Sequence, residues 1–546
     1  MEYEQLYAGA LVAFAAVLML LQQFCRKSSL KKLPPGPLKL PVIGSSYIIG
    51  RYSNPWDAFS DLRRIYGDVY SINLGSRRCL VVSSLDALRE VLVTKATDFA
   101  DRPDSLRYHA IFKNNRNFSI ALCDWSSKQR TRRDLCYPVM HPKQASTEQS
   151  RLSNCIETEL RYLIAELSRT AGKPMNPRQV LLVTTANIFY TFFCTERFDP
   201  EDPKFLRIVD FYNEVFHQLF QGFAIDFMPW LKVLQSKQLC VLKDKSMEIY
   251  RFTLAIMDRR EKAMASGICA GLDQARDLMD VLLLSLKGPN AEGKLDKVDV
   301  AVVIEDLIGG HSVIANLWVW EIQSRIREEI GVIIASEGRL PSLMDRSRMC
   351  YTEATLYEVM RVVNSPIIPH VCCNDTTVQG FHVDRGTVVM FNTNDMNYSS
   401  DLWDTPWDFN PERFLSDDGQ YVLKPGHFFP FGTGKRSCMG DGLVRATLIL
   451  GLATLFTRFE LSLAPGQVPA SFVESRSKVI FDLDPKIVFT EVAPRTQSGR
   501  RILLRQLGQA VERFSASLTV VCWSSRATLV ELLSSASTEF FQHPQM

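Results

Sequence analysis

The chain has 546 residues, 46% of them hydrophobic, with a formal net charge of +3. That length allows one large core or several domains, and the near balance of charge gives no reason to expect a nucleic-acid partner. Its 13 cysteines, from Cys25 to Cys522, show no CxxC pair and no regular spacing, which argues against a zinc site or a disulfide framework and fits a reducing compartment.

The first element is apolar. Leu6 to Leu21 carries no charge, Gln22 to Cys25 extend it, and Arg26, Lys27, Lys31 and Lys32 follow. About 16 to 20 apolar residues span a bilayer as a helix, with the positive flank on the cytosolic side. The acidic start (Glu2, Glu4) and the lack of a small-residue cleavage site argue against a removed leader. Residues 1–25 are therefore expected to form a single transmembrane signal-anchor of the endoplasmic reticulum, with the body cytosolic. Residues 26–44 read as a basic linker that Pro34, Pro35, Pro37 and Pro41 keep extended.

From Trp56 to Arg495 there is no repeat, low-complexity stretch or second linker, so residues 45–495 are expected to form one catalytic domain. Leu152–Arg169, Phe205–Phe223 and Ser246–Ser266 have the spacing of amphipathic helices. Strand-like runs occur at Val69–Leu74, Cys79–Val82, Thr377–Gln379 and Thr387–Phe391. The expected class is mainly α with small β-sheets. Residues 496–546, rich in Ser and Arg with apolar runs, form an atypical tail.

The chemistry concentrates in Phe431-Gly432-Thr433-Gly434-Lys435-Arg436-Ser437-Cys438-Met439-Gly440. A Gly-rich loop carries one Cys and then meets the apolar helical run Leu443–Leu455. A thiolate at a helix N-terminus is favoured by the helix dipole, and neighbouring amides can hydrogen-bond the sulfur. Gly434 and Gly440 let backbone approach a flat ligand, and Arg436 suits a carboxylate on it. A structural Cys in a Gly-turn is the plainer alternative.

The pattern F-x-x-G-x-R-x-C-x-G resembles the haem-binding loop of the cytochrome P-450 family, and Phe431, Gly434, Arg436, Cys438 and Gly440 all match. The resemblance implies the cytochrome P-450 fold and haem b, with Cys438 as axial ligand of the iron and Arg436 on a haem propionate. It also implies a monooxygenase fed by NADPH through a cytochrome reductase. Glu358-Val359-Met360-Arg361 matches E-x-x-R, and Asn410-Pro411-Glu412-Arg413-Phe414 matches the segment that completes a Glu–Arg–Arg cluster. Glu358, Arg361 and Arg413 are thus expected to form a buried structural lock. His370, after Pro369, takes the place of a second propionate ligand. Trp125 stands where the family has W-x-x-x-R, but Gln129 replaces the Arg. Lys128, Arg130, Arg132, Arg133 and Lys435 are expected to present a basic face to an acidic electron-transfer partner.

The central helix departs from the family. Where the family carries [AG]-G-x-[DE]-T, this chain has Gly309-Gly310-His311-Ser312-Val313. Ser312 and His311 are the candidates for the proton relay that an acid and a Thr otherwise supply. The glycines are expected to bring this helix close to the haem. Beyond Val313 the chain is roughly nine residues short of the family pattern, about 13 Å of helix. Glu305-Asp306, Arg102-Pro103, Leu122 to Ser126 and Ser365 to His370 resemble the arthropod Halloween group of the family. That implies a lipid-soluble sterol substrate at an early step of ecdysteroid synthesis, after 7-dehydrocholesterol. Phe211, Phe216, Phe220, Phe223 and Asp226–Leu231 suit such a substrate. Alternatives left open are a haem-thiolate isomerase or dehydratase, a xenobiotic monooxygenase and an inactive haem-binding variant.

Overall fold

The computed structural model describes residues 32–492, apart from Ser53, 221–223, 268–270, 272–273, 287–294, 313–322, 365–366 and 467–485. The expected membrane anchor, the C-terminal tail, Phe223 and the segment that begins at Val313 lie outside these residues. The chain falls into two units, 1–490 and 491–546. No helix among the described residues is long and apolar enough to cross a membrane.

Among the described residues the principal helices are α1 (Pro55–Tyr66), α2 (Leu106–Ile111), α3 (Ser127–Met140), α4 (Thr147–Arg169), α5 (Arg178–Cys194) and α6 (Pro203–Phe220). They continue as α7 (Lys232–Ala265), α8 (Leu278–Ser285), α9 (Lys297–Gly309), α10 (Gln323–Glu337), α11 (Cys350–Val363) and α12 (Asp441–Arg458). The strands are β1 (Val69–Leu74), β2 (Arg77–Val82), β3 (His370–Val371), β4 (Thr376–Val378), β5 (Phe381–Val383), β6 (Val388–Phe391), β7 (Phe459–Leu463) and β8 (Ile487–Glu491). The fold is mainly helical with small sheets, as the composition of its segments implied.

One sheet has the order β1-β2-β6-β3. β1 and β2 form an antiparallel hairpin in which Leu74 faces Arg77 across Gly75 and Ser76. β2 then pairs in parallel with β6, Cys79 opposite Val388, which joins segments three hundred residues apart. β3 closes the other side and places His370 opposite Val389. β4–β5 and β7–β8 form two-stranded ribbons.

Helix α9 starts at a capping box, with Asp299 N–H donating to Asp296 at 2.8 Å and Asp296 N–H donating to Asp299 at 2.8 Å. Val300 to Ile304, Leu307 and Ile308 are all buried, so this helix is covered on every side rather than amphipathic. α5, α11 and α12 are similarly enclosed and share its core. The predicted strands fall within a residue or two of the observed ones. The helix expected at Ser246–Ser266 instead begins at Lys232, because its first turns are exposed, Val233 and Leu234 included, and bury no apolar stripe.

Candidate active site

Cys438 sits in a loop fixed by backbone contacts. Its N–H donates to the Phe431 carbonyl at 2.9 Å. Gly434 has a left-handed φ of +73°, and a Cβ there would collide with the Leu92 carbonyl, so only glycine fits on both counts. The Gly440 N–H donates to the Cys438 sulfur at 3.3 Å. Helix α12 begins at Asp441, just beyond.

Most described cysteines are buried, but Cys438 and Cys240 are exposed. Cys438 also has enough protein around it for burial to raise its pKa, while the Gly440 amide and the Arg133 charge pull the other way. The Cys438 thiol is thus accessible even though protein atoms crowd around it.

Beside it lies an uncompensated cationic cluster. Arg436 is buried and donates to the carbonyls of Cys123 (2.7 Å) and Ala121 (3.1 Å). Arg102, also buried, donates to Ala121 (3.0 Å), Ile368 (3.0 Å) and Pro369 (3.2 Å). Burial and the nearby Arg436 charge push the Arg102 pKa well down. His370 bonds the Phe99 carbonyl at 2.6 Å, and burial with Arg102 and Arg436 holds its pKa well below the usual value. Arg133 donates to the Ser437 carbonyl at 2.8 Å, and burial and Arg436 lower its pKa too. Among the described residues, no carboxylate lies within ion-pair distance of the guanidiniums of Arg102, Arg133 or Arg436. Buried cations without a counter-ion are costly. This pocket asks for an anion. Trp125 completes it, with Lys435 Nζ 4.6 Å and the Arg436 guanidinium 5.9 Å from its ring centre.

Glu358, Arg361 and Arg413 meet as a cluster. Arg361 grips Glu358 with two bonds of 2.7 Å, both side chains fully buried. Arg413 reaches the same carboxylate at 3.2 Å. Arg361 also donates to the carbonyls of Asn397 and Pro406. The lock fastens α11 to the segment that precedes the Cys438 loop.

Other expectations need correction. Arg132 is buried and paired with Asp299, and Lys128 binds the same carboxylate at 2.5 Å. Neither belongs to an open basic face, because the acidic cap of α9 neutralises both. Arg133 turns inward to Ser437, which leaves Arg130 as the most exposed of the set, within 3.7 Å of Asp134. Gln129 is fully buried and donates to the Ile120 carbonyl at 2.5 Å, so it does not replace the missing Arg in charge. The close approach that Gly309 permits among the described residues is by a protein side chain: a Cβ there would run into the Phe216 ring.

His311 and Ser312 are buried and adjacent, with Nε2 3.5 Å from the Ser312 hydroxyl. His311 Nδ1 bonds the Ile308 carbonyl at 2.7 Å, which leaves Nε2 as the acceptor. Burial lowers the His311 pKa to about 4, so the ring is neutral. It packs edge-on against Tyr212 of α6. Arg102 and Arg133 carried no assigned cofactor role in the sequence; an Arg before a Pro, and one more Arg in a basic helix, give no spacing signal.

A mainly helical fold with an accessible cysteine beside a buried cluster of cations is the arrangement a haem-thiolate protein would require. Residues 34–488 match the family model described as Cytochrome P450. Cytochrome P450 307a1 of Drosophila melanogaster, known as Spook, is 35% identical over 462 residues, 78% of this chain and 84% of the relative. Cytochrome P450 1A1 of Mesocricetus auratus is 30% identical over 460 residues, 80% of this chain and 86% of that protein. Cytochrome P450 2E1 of Rattus norvegicus is 28% identical over 476 residues, 83% and 92% of the two chains. The chain belongs to the cytochrome P450 family: it is a monooxygenase, an oxidoreductase whose cofactor is haem. The residues present fit that group, since haem brings two carboxylates to a pocket rich in unpaired cations and an iron to an accessible thiol.

Proposed function

We propose that the chain is a membrane-anchored sterol monooxygenase acting early in ecdysteroid synthesis, after 7-dehydrocholesterol. The observation that carries it is the Arg102–Arg436–His370 pocket beside the accessible Cys438 thiol, taken with the 35% identity to cytochrome P450 307a1. In this reading Cys438 ligates the iron, and Arg436, Arg102, His370 and Trp125 hold the propionate edge. Phe431, Gly434 and Gly440 shape the ligand loop. Bound haem supplies reductive use of dioxygen, with one oxygen atom entering substrate and the other leaving as water.

The protein's own groups then have defined tasks. The Gly440 amide and Arg133 favour the thiolate over the thiol. Glu358, Arg361 and Arg413 hold the loop's approach segment rigid. His311, neutral and accepting at Nε2, orients the Ser312 hydroxyl, which can pass its own proton on only as its oxygen takes another. Electrons come from an NADPH-cytochrome reductase.

Membrane attachment is supported by Leu6–Leu21 and by two exposed apolar sets. Leu38, Val42, Trp230, Val233 and Leu234 are 60, 67, 59, 81 and 79% exposed. Both sets border the β1–β2 turn, where Gly75 N–H bonds Ile43 and Ser76 N–H bonds Phe227. Residues 1–25 then anchor the chain in the endoplasmic reticulum, 26–44 link it, 45–495 catalyse, and 496–546 follow as a tail.

Ser312 and Val313, in place of acid and Thr, favour a second reading: a haem-thiolate isomerase or dehydratase that leaves dioxygen untouched. Membranes carrying the full chain and a reductase separate the two. Consumption of 7-dehydrocholesterol that needs both NADPH and O₂ supports the monooxygenase. Consumption without either supports the second reading. A thiolate-type spectrum with no sterol turned over would overturn both.

A further inference from the structure

The β4–β5 ribbon carries a polar cluster to which the proposed function gives no task. His382 lies on β5 and Asp384 just beyond it, two residues on, so both side chains stand on one face. Asp375 comes one step past the Thr376–Val383 pair, which puts it across the ribbon from Asp384 and on that face too. His382 Nε2 is 2.9 Å from Asp384 Oδ1 and 4.0 Å from Asp375 Oδ2. One ligand atom from each of the three residues lies within 4.8 Å of the other two.

Each carboxylate is held by its other oxygen. The Arg385 N–H donates to Asp375 Oδ1 at 2.8 Å, and Arg78 of β2 binds Asp384 Oδ2. These contacts turn Asp375 Oδ2 and Asp384 Oδ1 toward the same imidazole nitrogen, the kind of outer support that orients metal ligands. A tetrahedral ion with ligands at 2.0–2.2 Å keeps them about 3.4 Å apart, between the two separations observed. An ordinary His–Asp pair needs only one acid. The second, directly across the ribbon, adds a like charge that repels the first. The His382 side chain is 14% exposed and the two acids 57 and 36%, so the imidazole is shielded while solvent ions can reach the carboxylates.

We propose that His382, Asp375 and Asp384 form a site for a divalent first-row metal ion, with zinc a good match to one imidazole and two carboxylates. The ion takes the place of the proton that Nε2 otherwise shares with Asp384, and water fills the remaining position. The His382 N–H donates to the Lys32 carbonyl at 2.7 Å, and Lys32 Nζ lies 4.7 Å from the Phe381 ring centre. A metal on the ribbon therefore braces the segment that leads into the domain.

The test titrates haem-loaded full chain with Zn²⁺ by calorimetry, beside two independent variants, His382→Ala and Asp375→Asn/Asp384→Asn. Haem content and the carbon monoxide spectrum should be the same in all three. The wild type should bind one ion that both variants lose or hold ~10-fold or more weakly. Zn²⁺ should raise the melting temperature of the wild type and of neither variant. Equal stoichiometry and affinity in all three would put the ion on other groups, such as the exposed Cys240, and overturn the site. A wild type that binds no Zn²⁺ would overturn it as well. So would loss in His382→Ala with full binding in the double Asn variant, since a lone imidazole would then suffice.

Discussion

The two sides of the site are built to different standards. On the Cys438 side, loop, lock and cation cluster are joined by short bonds between buried groups, and what they lack is an anion. On the α9 side, His311 and Ser312 are buried at a loose 3.5 Å, Gly309 is covered by Phe216, and among the described residues Glu305 keeps an unpaired oxygen. The first region is specified for one cofactor. The second has lost the family's proton-delivery pair and gained polar groups of its own. The contrast teaches that cofactor holding and reaction control are separable here, and mutations should divide along that line.

The largest effect should come from Cys438→Ala, which removes the only candidate thiolate of the loop. The strongly red-shifted band of the reduced carbon monoxide complex should vanish; its persistence would remove Cys438 from the site. Next is the lock. Arg361→Ala leaves the fully buried Glu358 with only the longer Arg413 contact as its cation and should cost roughly 3–5 kcal/mol in denaturant unfolding. An equal cost from Arg413→Ala is not expected, because Arg413 makes the longer contact.

Arg102→Leu sharpens the comparison by a change of sign. Removing an uncompensated buried cation should raise the melting temperature of haem-free protein, yet weaken haem retention by ~10-fold. Parallel loss in both forms would mean that Arg102 serves packing alone. On the other side, Ser312→Ala should lower turnover with haem content intact, and unchanged turnover would end the relay assignment.

The smallest effect is one of pH. Burial lowers the His311 pKa from 6.5 to about 4, so between those values the unfolded chain binds more protons than the folded one. Stability from this group is therefore full above pH 6.5 and lost as pH falls toward 4. His311→Phe should flatten that part of the stability curve. A wild-type curve with the same slope as the variant's would show that His311 is not enclosed.

Much of the Cys438 side was legible because it is local. Gly434, Arg436, Cys438 and Gly440 lie within seven residues, and Glu358 with Arg361 within one helical turn, so spacing alone sets their geometry. The third member, Arg413, was reached through the family's pattern. The basic face was misjudged for the opposite reason. Lys128, Arg130, Arg132 and Arg133 look alike in a string, but helix phase turns Arg132 inward to Asp299, a partner 167 residues away.

The sequence by itself determined the class of fold, the thiolate loop, the E-x-x-R pair and the departure at Ser312 and Val313. Each is written in neighbouring residues whose spacing fixes their relation. Only the tertiary structure decided that β2 runs beside β6 and that, among the described residues, Arg102 and His370 join Arg436 without a carboxylate and Lys113 meets one oxygen of Glu305 and leaves the other. Those contacts link distant segments. Packing of a single core selects them, because each buried charge must find whatever partner the closed fold brings within reach.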